Sequence, residues 1–96
     1  MNIYKVSRKG NASYDEFRSF VCVAPNEQVT ARVTPNPFYI RQPEIANIAR
    51  TDKDGKFIDP HDGWVNSVND LTVELIGTAL PKYKHTCIID FNNVGS

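Results

Sequence analysis

The sequence predicts an α+β fold: a four- to five-stranded antiparallel sheet with one short helix packed on a face and an irregular central excursion. Three observations lead there. Four stretches, Asn2 to Arg8, Phe17 to Ala24, Leu71 to Thr78 and His85 to Phe91, show the period of two that a strand imposes on its side chains. One stretch, after Pro25-Asn26, has helix-start chemistry. Residues 35–63 hold four of the six prolines and two of the five glycines, too many for regular structure. Ninety-six residues make a single domain, residues 1–96, with a modest core.

In the first stretch Tyr4 and Val6 fall on one side, and Ile3 with Lys5 on the other. Lys9-Gly10-Asn11-Ala12-Ser13 has loop composition. In the second stretch Phe17, Ser19, Val21 and Val23 take one side, while Phe20, Cys22 and Ala24 take the other. Both sides are apolar past Ser19, which marks a central strand buried on two faces. Asp15 and Glu16 precede that point and are expected to solvate the hairpin end.

Asn26 is a candidate N-cap for a helix over Glu27 to Val33, with Val29, Ala31 and Val33 toward the sheet. Thr34-Pro35-Asn36-Pro37 stops it. Farther on, Pro43 and Glu44 can open a helical turn with Ile45, Ile48 and Ala49 on one face. Asp54-Gly55, between Thr51 and Phe57-Ile58, reads as a tight hairpin turn, and Asp59 to Gly63 as a loop leading into Trp64-Val65. Trp64 is expected in the core. The Leu71 to Thr78 strand sets Leu71, Val73 and Leu75 against Thr72, Glu74 and Ile76, with a bulge or bend at Gly77. Leu80 to Lys84 is short enough to join it to the last strand as a hairpin.

Net charge is zero, from eleven basic and eleven acidic residues, which argues against a protein built chiefly to coat nucleic acid. No segment approaches the ~20 apolar residues of a membrane span, so no membrane association is expected. The first residues lack the apolar core of a signal peptide, and a cytoplasmic location is expected. Cys22 and Cys87 fall in apolar runs and are read as buried free thiols rather than a disulfide.

No glycine-rich phosphate loop occurs. Asp52-Lys53-Asp54-Gly55 fails as a calcium loop, because His61 stands where a bidentate Glu is needed. His61 and His85 have no metal-ligand spacing, and Cys22 in a two-sided apolar strand would be unreactive. No catalytic residue, metal ligand or cofactor is therefore assigned, and the chain is read as a non-enzyme. Arg8, Lys9, Arg18, Arg41, Arg50, Lys53 and Lys56 are scattered among acids, with Phe38, Tyr39 and Trp64 as potential stacking surfaces. A small nucleic-acid- or nucleotide-binding protein is the alternative reading.

"YDEFRSFVCVAPNE" (14–27), "GWV" (63–65), "VELIGTA" (73–79) and "IIDFNNVG" (88–95) occur in that order. Together they resemble a widespread family of small proteins carried by phages, prophages and bacteria. The resemblance covers about half of the chain. Gln28-Val29-Thr30 departs from the family's acidic helix, and residues 34–60 have no counterpart. The family brings no activity, so no catalytic residue is carried over. It implies a setting: an accessory protein, in the host-cell cytoplasm if phage-encoded, that binds a host protein. In its sharp form this is an anti-CRISPR-like or other anti-defence inhibitor. The expected partner-binding residues are Phe38, Tyr39 and Arg41 in the central excursion, with Asp15, Glu16 and Arg18 on an adjoining strand end. Homodimerisation through an exposed sheet edge is compatible with each reading.

Overall fold

The computed structural model of the chain describes residues 1–12, 16–35, 47–58 and 63–93. Two strands, β1 (Asn2–Arg8) and β2 (Phe17–Ala24), form the central hairpin, with Val6 opposite Phe20 and Ser7 opposite Ser19. β5 (Leu71–Thr78) pairs with the free side of β1, and β6 (Cys87–Asn93) with the free side of β2. The strand order is β5-β1-β2-β6, antiparallel throughout. β3 (Val33–Thr34) and β4 (Asn47–Ile48) make a separate two-stranded ribbon. With the helix α1 (Glu27–Arg32), this is an α+β fold, as the sequence predicts. Among the described residues, no helix is long and apolar enough to cross a membrane.

One face of the sheet carries the core. Tyr4, Val6, Phe20, Cys22 and Ala24 project from the central hairpin, and Val33, Ala49, Phe57 and Trp64 cover them. α1 closes part of this face. Asn26 caps it, its side-chain oxygen accepting from Val29 N at 2.9 Å. Thr30, rather than the expected Ala31, is the helical residue fully buried. Its hydroxyl donates to Asn26 O at 2.7 Å, which satisfies the polar group and permits the burial. The helix ends at Arg32, one residue short of the expected boundary. Val33 is already extended, because two β-branched residues before a proline favour strand geometry.

Three further expectations are corrected. Asn47–Ile48, expected to be helical, is a strand paired with Val33–Thr34, so Ile48 is exposed while Ala49 is buried. The rest of that turn, residues 43–46, lies outside the described residues. β5 and β6 do not form a hairpin, since the β1–β2 pair lies between them. Residues 79–86 therefore cross three strand spacings, about 14 Å, which their length permits. Phe17 shares the core side with Phe20 instead of alternating away from it. A bulge at Arg18 is responsible: Phe17 pairs with Asn93 and Ser19 with Asn92, leaving Arg18 without a register partner.

The Asp54-Gly55 turn is as expected. Gly55 N donates to Asp52 O at 3.1 Å, and Asp52 N to Lys56 O at 2.9 Å. Asp52 Oδ1 accepts from both Asp54 N and Lys56 N. Gly55 has φ +86°, a left-handed conformation that favours glycine. The turn is strapped to the 3₁₀ segment Val68–Asp70, where Val68 N donates to Gly55 O at 2.9 Å.

Candidate functional site

At the hairpin end of the central pair, Arg8 organises a cluster of charged and aromatic groups. At the last position of β1, its Nε donates to Phe17 O at 2.7 Å and its Nη2 to Gly63 O at 3.0 Å. Nη1 lies 3.5 Å from Glu16 Oε2, and the guanidinium sits 5.6 Å from the centre of the Trp64 ring. The side chain is only 9 % exposed. Gly63 O also accepts from Phe17 N at 2.8 Å, so one carbonyl ties the start of β2 to the segment entering Trp64. Trp64 packs on Phe20, ring centres 5.2 Å apart, and belongs to the core as expected. Its Nε1 has no hydrogen-bond partner among the described residues.

Two depressions flank Arg8. One, of about 320 Å³, is lined by Lys9, Glu16, Trp64 and Asp70, among others, and so has mixed charge. The other, of about 430 Å³, opens on the face of the sheet opposite the core and is lined by Lys5, Ser7, Arg8, Gly10, Asn11, Ala12, Arg18 and Ser19. Among the described residues, its lining contains three basic residues and no acid.

Of the residues expected to bind a partner, Phe38, Tyr39, Arg41 and Asp15 lie outside the described residues. Glu16 and Arg18 are described, and they line different depressions. Glu16 faces the Arg8 clamp, whereas the bulge carries Arg18 to the open face. Arg8, grouped by sequence with the loop cations, is instead committed inside the fold. Sequence reading gave no reason to single out Lys5, Ser7 or Ser19. Only their register, with Ser7 opposite Ser19, brings them beside Arg18.

The thiols are poorly suited to nucleophilic work. Burial, reinforced by the nearby Cys87, pushes the Cys22 thiol up to about 12. Burial also raises Cys87, and both are free. Cys22 therefore stays protonated at neutral pH. His85 is exposed, and His61 lies outside the described residues. Among the described residues, no three His, Cys, Asp or Glu gather to hold a metal ion.

The sheet edges are a second feature. On β5, Leu75 and Ile76 are 56 % and 50 % exposed, and Leu80 just beyond is 62 % exposed. Ile76 is the extra residue of a bulge, since Ile3 pairs with Gly77 and Tyr4 with Leu75. The sequence predicts this irregularity at Gly77, one position away, and groups Leu75 with Leu71 and Val73 on one face. At the sheet margin, however, the covering layer does not reach Leu75. On β6, Ile89 and Phe91 are exposed.

No family model, curated protein or solved structure matches this chain.

Proposed function

We propose that the protein is a non-enzymatic protein-binding module that takes up an extended segment of its partner along the β5 edge. The exposed apolar edge of β5 carries this reading. An edge strand presents unpaired main-chain donors and acceptors, and native edges are usually blunted by Lys, Pro or a cover. β5 contains neither Lys nor Pro, and its single charge is Glu74. The bulge at Ile76 interrupts the regular ladder, leaving Leu71 to Leu75 as the run best suited to strand addition. Such a partner strand would place apolar side chains near Leu75 and Ile76 and a Lys or Arg opposite Glu74. The sequence resemblance to small phage and prophage proteins supports a host protein as the partner, and inhibition of a host defence system as the purpose.

A Leu75→Lys/Ile76→Lys double variant tests this, because both side chains already face solvent. Tagged wild-type protein should retain one bacterial protein at stoichiometric level through moderate salt, and the variant should lose it at least tenfold. Equal capture by both forms would overturn the assignment, as would retention of nucleic acid alone. A wild-type dimer in sedimentation that the variant converts to monomer would identify a second copy, not a host protein, as the occupant of the edge.

A further inference from the structure

We propose that the open face of the β1–β2 hairpin binds a phosphoryl group, held by Lys5 and Arg18 with the hydroxyls of Ser7 and Ser19. The inference is independent of the β5 edge and rests on the second depression described above.

Backbone geometry explains why these four side chains converge. Ser7 and Ser19 are directly opposed, so their Cβ atoms stand about 5 Å apart. Lys5 lies two residues back along the same face of β1, within about 7 Å of Ser7. Regular alternation would send Arg18 into the core beside Phe20. The bulge places it next to Ser19 instead, and this re-aiming of a single side chain is a common use of bulges beside functional sites. The result is a depression of about 430 Å³, within the size range of small-ligand sites.

The electrostatics favour an anion. Arg8 forms one wall, but its guanidinium is engaged with Phe17 O, Gly63 O and Glu16. Lys5 and Arg18 make no ion pair or side-chain hydrogen bond with a described residue. Glu74 sits opposite Lys5 in the register and still forms no ion pair with it. Two cations of different kinds, without a partner among the described residues, thus share one depression. Arg supplies a planar fork and Lys a mobile point charge, a combination suited to the several oxygens of a phosphoryl group. Two hydroxyls add neutral donors at the base. Among the described residues the lining has no aromatic side chain, so the site would grip the phosphoryl end of a ligand and leave the remainder in solvent.

The phosphoryl group could belong to a small phosphate ester or to a nucleic-acid backbone, and the probes separate these sources. Pyrophosphate and an eight-nucleotide oligothymidylate are titrated at constant ionic strength, with amide shifts of Ser7, Arg18 and Ser19 as readout. Malonate serves as the carboxylate control. Pyrophosphate is expected to shift these amides saturably, and Lys5→Ala/Arg18→Ala to weaken it at least tenfold. Both replaced side chains are solvent-facing, and an unchanged amide spectrum elsewhere would confirm the fold. Glu74→Gln should tighten binding about twofold by removing a nearby like charge, which a purely structural role for Lys5 would not produce. Oligothymidylate binding at least tenfold tighter than pyrophosphate would identify a nucleic-acid backbone; comparable affinity would identify a small phosphate ester. Absence of saturable shifts with both probes, equal binding of malonate, or an unaffected double variant would overturn the proposal.

Discussion

Replacing Arg8 should destabilise the fold more than replacing any other single charge among the described residues. Its two hydrogen bonds carry a charged donor, and each contributes about 1.5 kcal/mol at the lower end of the range for such bonds. The lower end applies because Gly63 O keeps a second donor, Phe17 N. The contact with the Trp64 face adds about 0.5–1 kcal/mol. The Glu16 pair adds little, since that carboxylate is 31 % exposed and is screened by solvent. Arg8→Ala should therefore lose about 3.5–4 kcal/mol. A chain of this length has a total stability of about 5–14 kcal/mol, so the loss would be conspicuous. Urea unfolding followed by the fluorescence of Trp64, the only tryptophan, provides the assay. At an m-value of about 1.5 kcal/mol/M the midpoint should fall by about 2.5 M. Arg8→Lys retains the charge but not the fork, and should lose about half as much. A loss below about 1 kcal/mol for Arg8→Ala, or an Arg8→Lys protein as stable as wild type, would refute the clamp.

Three other substitutions probe separate parts of the fold. Gly55→Ala should cost at least about 1 kcal/mol in the same urea assay, because φ is +86° and the new Cβ would lie 2.7 Å from Val68 Cγ2. Stability equal to wild type would show that the turn has another geometry. Asn26→Ala removes the cap on Val29 N and should cost about 1 kcal/mol, with amide exchange faster across α1. Cys22 predicts a pH effect. Its unfolded value is near 9 and its folded value near 12, so the unfolded chain loses the proton first as pH rises. The contribution is fully present below pH 9 and is lost progressively up to pH 12. Between pH 7 and pH 10 wild type should lose about 1.4 kcal/mol more than Cys22→Ala. Parallel stability curves for the two proteins would contradict the burial of that thiol.

The regular parts of this protein were legible in the chain because their signals are local. Period-two alternation defines β1 and β2 to the residue, and the Asn26 cap and the Asp54-Gly55 turn rest on side chains a few positions apart. The core role of Trp64 followed from its apolar setting. Strand order was not legible. Leu80 to Lys84 would suit a hairpin, but β1 and β2 already pair with each other, and β5 and β6 are left to opposite edges. Periodicity also misled wherever the ladder slips. A bulge adds one residue to one strand and reverses the side of everything beyond it. Alternation therefore put Phe17 on the side opposite Phe20, whereas the fold buries both in one core.

The sequence alone determined that the chain makes an antiparallel sheet with a short capped helix, and which side chains are apolar enough to fill its core. Tertiary structure decided what the polar residues do. Arg8, one of eleven cations in the sequence, becomes a nearly buried clamp because the end of β1 meets Gly63 from 55 positions away. Lys5, Ser7, Arg18 and Ser19 become neighbours only through a cross-strand register and a bulge. Apolar burial follows from composition along a segment, but the placement of a charge depends on partners remote in the chain. That is why the core could be read in advance and the candidate sites could not.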